Sequence, residues 1–174
     1  MSVTELLQLL EALGSVPSED IGGLTELDHG LQCADRLARR RPLDIELQLA
    51  GLVHDVGHQF GPDDRHGEIG GDLVRPLLGE RVAALVAAHV PAKRYLVATD
   101  ARYAERLSSV STATLTVQGG PLADAEALAF RALPCFDDAI ELRRADDGGK
   151  VPGRKVPGLD RWVEPLVERA RGGQ

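Results

Sequence analysis

Five histidines occur in this chain, and four of them, His29, His54, His66 and His89, fall at helix ends or on apolar helix faces of the sequence pattern. The fifth, His58, follows His54 in the stretch "GLVHDVGHQF", residues 51 to 60. Taken singly, a histidine on an apolar face is a core residue whose nitrogens are satisfied by hydrogen bonds. Taken together they imply more, because a helical bundle can bring side chains from separate helices to one interior point. Imidazole is the commonest ligand of zinc, iron and copper, whereas oxygen-only sites suit magnesium and calcium. Four histidines with carboxylates therefore imply a transition metal.

Asp55 stands next to His54. Neighbours on a regular helix diverge by about 100°, so both reach one ion only if it lies off the helix end or between their directions. A carboxylate has two oxygens and can bridge two ions, which makes Asp55 the natural shared ligand of a two-metal centre. His54 and His58 are four apart and should share a helix face.

Those side chains need helices to carry them, and the apolar spacing supplies several. Thr4 can cap a first helix whose leucines form one stripe, with Gly14 ending it. Thr25 can cap a second helix over about 25 to 40, which Pro42 stops. Asp44 can open a third, running into His54 and Asp55 and ended by Gly57. A fourth is expected over about 66 to 78, ended by Gly79, and a fifth over about 80 to 89. Pro91 disfavours helix at Val90, so His89 should sit in the last turn, with Lys93 after it. Residues 93 to 121 read as short helices with loops. Helical patterns resume after Pro121, break at Pro134, continue to Gly148 and Gly149, and return from about 159 to 171.

Composition limits the alternatives. The chain has 174 residues, enough for one compact unit. Hydrophobic residues make up 43% and aromatics 3%. That favours packed helices built from Leu, Ala and Val over a sheet sandwich. The net charge of −7, from 27 acidic and 20 basic residues, argues against nucleic acid as a partner. Cys33 and Cys135 make no disulfide framework and read as reduced, small apolar residues. The amino end carries Glu5 and Glu11 and lacks the basic region of a secretion signal. No apolar run approaches the roughly 20 residues that cross a membrane. A cytoplasmic protein is expected, and its oligomeric state is left open.

The ordered series His29, His54-Asp55, His66, His89 and a late acidic cluster resembles the HD-domain superfamily over roughly residues 24 to 150. The dipeptide alone carries no weight; the ordered series does. Most of that superfamily are metal-dependent phosphohydrolases. A smaller branch, which includes myo-inositol oxygenase and an oxygenase that cleaves a hydroxylated aminoethylphosphonate, uses mixed-valent diiron and O2. The blocks "HVPAKRYL" at 89 to 96, "LSSVSTATLTVQGGP" at 107 to 121 and "LRRADDGGK" at 142 to 150 resemble the phosphonate oxygenase in order and spacing.

The resemblance implies an all-α HD bundle, one domain over 1–174 with terminal helices at both ends, around a dinuclear centre. It implies His29, His54, Asp55 and Asp146 around one iron, Asp55 bridging, and His66 and His89 on the other. The cofactor would be two Fe ions, Fe(II)/Fe(III), with other divalent transition metals possible in a preparation. Asp146 is preferred over Asp147, Asp137 and Asp138 by its place in "RRADDGGK", with Lys150 four residues on. Asp137 and Asp138 otherwise read as amino-terminal helix caps, Asp147 as solvated, and Arg39, Arg40 and Arg41 as complements to a helix dipole. His58 would lie beside the metals as an acid-base group. Lys93 would anchor an anion, with Arg143, one turn before Asp146, sharing the task and Ser111 and Gln118 as weaker contacts.

The implied reaction is oxidation at the C–H beside a hydroxyl, leading to C–P or C–C cleavage of a small anionic substrate by O2. The rival is a phosphohydrolase acting on a small phosphoester or nucleotide with the same ligands. A non-catalytic regulator would lack some of the six ligands, and none is missing. The phosphonate oxygenase it resembles has a tyrosine and a glutamate before its first histidine that cover the site and recognise the substrate amine; here "SEDIGGLTELDH" has no tyrosine, and Glu19 or Glu26 would need a different register. The implied substrate therefore lacks an amine, or the lid over the site differs.

Overall fold

The computed structural model describes residues 1–18 and 22–172. Glu19 lies outside the described residues. Among them the secondary structure is helical, with one isolated bridge between Pro17 and Thr25. The helices are α1 (Val3–Leu13), α2 (Glu26–Arg40), α3 (Ile45–Val53), α4 (His66–Thr99), α5 (Ala101–Ala104), α6 (Ser109–Val117), α7 (Asp124–Arg131), α8 (Phe136–Gly148) and α9 (Asp160–Gly172).

The helix starts follow from their capping residues. Thr25 and Asp28 form a capping box on α2, and the Asp44 side chain accepts from Leu47 N on α3. At α1 the cap is Ser2 rather than Thr4. Ser2 has Glu5 three residues on to complete the box, and Thr4 has only Leu7 there.

Two departures from the sequence pattern shape the site. First, α3 ends at Val53, and a 3₁₀ turn follows over Val56–Gln59. His54 and His58 therefore do not share a helix face. His54 and Asp55 hang off the helix end, which frees both to point into one space. Second, the helix with His89 does not stop before Pro91; α4 runs on to Thr99. The proline removes one backbone hydrogen bond, yet the flanking turns of this buried helix hold their course. His89 and Lys93 thus lie four apart on one continuous helix.

The break in α4 is at Gly79, with φ 83° and ψ 175°, where the chain doubles back. The two arms pack closely through small residues. A Cβ on Gly71 would stand 2.7 Å from Ala83 O, and one on Gly67 would stand 3.3 Å from His89 Cε1.

Helix α2 packs on α3 and α8, and α4 packs on α3, α8 and α9. The core between them is leucine-rich, including Leu37, Leu47, Leu49, Leu78, Leu85 and Leu142, all fully buried. Each such side chain contributes about 1.5–3 kcal/mol. Trp162 and Leu166 of α9 seal the side against α3, α4 and α1. Arg40 pairs with Glu141 and Arg41 with Asp138, tying the end of α2 to α8. These arginines do more than complement a dipole. Asp137 and Asp138 lie in the first turn of α8 without a capping bond, and Asp138 also pairs with Arg81 at 2.8 Å. Cys33 and Cys135 are free thiols. No described helix is long and apolar enough to cross a membrane.

Candidate metal centre and anion pocket

The imidazoles converge with their Nε2 atoms inward. Each Nδ1 faces a carbonyl oxygen: His29 to Gly149 at 3.1 Å, His54 to Gly51 at 2.9 Å, His66 to Asp63 at 2.6 Å and His89 to Val86 at 2.6 Å. A carbonyl only accepts, so Nδ1 carries the hydrogen and Nε2 keeps its lone pair. That is the tautomer a metal needs.

Asp55 stands between two sets of these nitrogens. Its Oδ2 is 3.1 Å from His54 Nε2 and 3.4 Å from His29 Nε2. Its Oδ1 is 3.5 Å from His89 Nε2, 3.6 Å from His66 Nε2 and 3.7 Å from His58 Nε2. Asp146 joins the first set, with Oδ1 3.3 Å from His29 Nε2 and 3.9 Å from His54 Nε2. The groups His29, His54, Asp55 and Asp55, His58, His66 each bring ligand atoms close enough for one ion.

The residues fit a metal on their own chemistry. His29 Nε2 and His54 Nε2 are buried without a hydrogen bond. His66 Nε2 and His89 Nε2 are 2.8 Å apart, two lone pairs facing each other. Orphaned buried acceptors cost about 1–3 kcal/mol each, and a cation among them removes that cost. Without one, the protons redistribute. Burial works against charge on His29, but Asp146 and Asp55 beside it outweigh this and raise its pKa to about 10. Burial and the adjacent His89 lower His66 to about 3. Burial opposes charge on Asp55 and Asp146 too, yet the imidazoles around Asp55, and Arg143 and then Lys150 beside Asp146, hold both well below the usual carboxylate range.

Above this cluster opens a cavity of about 250 Å³ lined by Lys93, Ser111, Gln118, Arg143, Lys150 and Glu26, among others. Burial, then Arg143, brings the Lys93 pKa down to about 8, and its Nζ donates to Thr114 Oγ1 at 3.0 Å. Ser111 lies on α6 and Gln118 at its end, not in open loops, and both are buried. His58 is a third exposed, stacks on His66 with centroids 3.8 Å apart, and pairs through Nδ1 with Asp63 Oδ1 at 3.1 Å.

Every predicted site residue except His54 lines this cavity, and His54 lies directly beneath it. The contributions of Asp147, Thr114 and Tyr103 escaped the sequence reading. Asp147 is not solvated; it pairs with Arg143 and accepts from Tyr103 Oη at 2.8 Å. Its spacing four residues after Arg143 was an available signal. Thr114, three after Ser111 on α6, was another. Tyr103 carried none, since only the fold brings α5 to α8. Glu26 reaches the cavity in the register it has, and burial raises its pKa. Lys150 stands two residues past the end of α8, after the cap Gly149, and pairs with Asp146 at 3.4 Å.

A helical bundle with the series His, His-Asp, His, His, Asp gathered around one carboxylate defines a class, and residues 26–114 match the HD domain family. The chain belongs to that family. It is 36% identical over 182 residues to a hydroxymethylphosphonate dioxygenase of Gimesia maris, covering 97% of this chain and 89% of that protein. It is 34% identical over 157 residues to a 1-hydroxy-2-(trimethylamino)ethyl phosphonate dioxygenase (glycine-betaine-forming) of Leisingera caerulea, covering 84% and 79%. An uncharacterized protein of Acanthamoeba polyphaga mimivirus is 28% identical over 180 residues, covering 96% of this chain and 81% of its own length.

Proposed function

We propose that this chain is an HD-type oxygenase that cleaves the C–P bond of a small hydroxylated phosphonate, with iron held on both sides of Asp55. The observation that supports a two-metal site is the division of Asp55's two oxygens between separate Nε2 sets at the floor of a cavity walled by Lys93 and Arg143, and the likeness to two phosphonate dioxygenases favours oxidation over hydrolysis there. His29, His54, Asp55 and Asp146 would hold one iron, and Asp55, His66 and His89 the other. A mixed-valent iron pair, when bound, supplies the O2 chemistry that no side chain here performs.

The chain's own residues do the rest. Lys93 and Arg143 bind the phosphonate from one side, with Ser111 and Gln118 completing its hydrogen bonds. That fixes the carbon bearing the hydroxyl over Asp55 and restricts its orientation. His58, paired with Asp63, can take or return a proton at Nε2 beside Asp55. Helix α6 lines the anion end through Val110, Ser111 and Thr114. For hydroxymethylphosphonate the balance is HOCH2PO3H2 + O2 giving HCOOH + H3PO4. A relative named for that substrate, which has no amine, accords with the missing tyrosine in "SEDIGGLTELDH".

The test is anaerobic iron loading followed by limited air and electron paramagnetic resonance, then turnover with hydroxymethylphosphonate. A mixed-valent signal with equimolar O2 uptake and phosphate release is expected. Hydrolysis of a phosphoester without O2 uptake would overturn the reading in favour of a phosphohydrolase.

A further inference from the structure

Arg143 is buried, and its guanidinium is held at three points. Nε donates to Tyr103 Oη at 2.9 Å, Nη1 donates to Asp146 Oδ2 at 2.6 Å, and Nη2 donates to Asp147 Oδ1. Tyr103 Oη in turn donates to Asp147 Oδ2 at 2.8 Å. Arg143, Tyr103 and Asp147 therefore close a ring of hydrogen bonds, with the phenol inserted between the guanidinium and one carboxylate oxygen. Tyr103 is itself buried, on the short α5, and it does not line the cavity.

We infer that Tyr103 is a positioning residue for anion recognition: it fixes the plane of Arg143 so that the donors left over face the cavity, and so that Asp146 keeps Oδ1 for the metal side. The inference rests on the functional reading above. An arginine has five N–H donors, and the three contacts consume one each. One remains on each terminal nitrogen. Without the phenol, Asp147 is free to take Nε and Nη2 together as a fork, the geometry carboxylates favour with arginine. The plane would then turn, carrying the two remaining donors and the Asp146 contact with it. Burial raises the phenol's pKa, so at neutral pH the hydroxyl is protonated and donates to Asp147. The neighbouring elements agree with this role. α5 is a four-residue helix capped by Asp100, whose side chain accepts from Arg102 N and Tyr103 N. The chain spends a local cap on holding this one phenol against α8.

The experiment is Tyr103→Phe, which keeps the ring and removes only the oxygen. Methylphosphonate binding to the iron-loaded protein under argon is read by calorimetry, and KM and kcat are read with hydroxymethylphosphonate. The expected result is about a tenfold weaker Kd and a KM raised by about the same factor. Values of kcat within about twofold and unchanged iron content are expected beside it. Unchanged Kd and KM, or a loss confined to kcat or to iron, would overturn the inference. Should Tyr103→Phe fail to fold, Asp147→Asn, at a partly exposed position, breaks the same ring and must weaken methylphosphonate in the same way; wild-type affinity there overturns it equally. Wild-type protein that binds no methylphosphonate would instead sink the functional reading, and the role given to Arg143 with it.

Discussion

A metal ion at this site competes with a proton for the same lone pairs. The clearest single-residue consequence concerns His89, whose Nε2 faces both His66 Nε2 and Asp55 Oδ1. His89→Ala is expected to retain one iron per chain by metal analysis and to lose all oxidation; full activity with a single metal would defeat the two-metal assignment. Lys93 gives a pH dependence. Burial lowers its pKa to about 8, so its ammonium is charged below that pH and neutral above. Affinity for the anion is therefore present at lower pH and lost as pH rises through about 8. KM for the phosphonate should climb there, and Lys93→Ala should raise KM at pH 7 and flatten that limb of the profile. A profile identical in the variant would remove Lys93 from the pocket.

Helices and turns set which of these groups can meet. The turn after α3 approaches α4 so closely that a Cβ on Gly57 would stand 1.9 Å from His66 O and 2.7 Å from Gly70 N. Gly57→Ala should cost about 3 kcal/mol or more, seen as a lower urea midpoint, with iron lost from the His66 side. This turn also marks where sequence reading reached its limit. The caps at Thr25 and Asp44 and the order of the site residues were readable, because each depends on near neighbours or on an ordered series. The end of α3 before His54 was not, since an apolar helix pattern ran straight through it. Nor was the passage of α4 across Pro91, where tertiary packing overrides a local preference. Tyr103 and Asp147 show the same limit, for their partnership exists only once α5 meets α8. The four buried histidines came through because bundle geometry makes their convergence an inference from type and order alone.

The molecule as folded keeps its chemistry on one side and its seal on another. Trp162 of α9 is buried in the core and is not part of the cavity lining. Trp162→Ala should destabilise by about 3–5 kcal/mol while leaving iron stoichiometry and KM unchanged in the folded fraction, measured by thermal unfolding beside kinetics. Stability and recognition would then separate cleanly. The two halves of the proposed metal centre differ in how far apart in the chain their parts lie. Because Gly79 turns α4 back on itself, His66 and His89 meet across 23 residues, whereas His29 finds Gly149 across 120. Closing the longer loop costs about 1.5 kcal/mol more in chain entropy. A ribosome releases the hairpin's histidines well before Asp146 emerges, so a nascent chain owns the parts of one half-centre while the other still awaits its carboxylate.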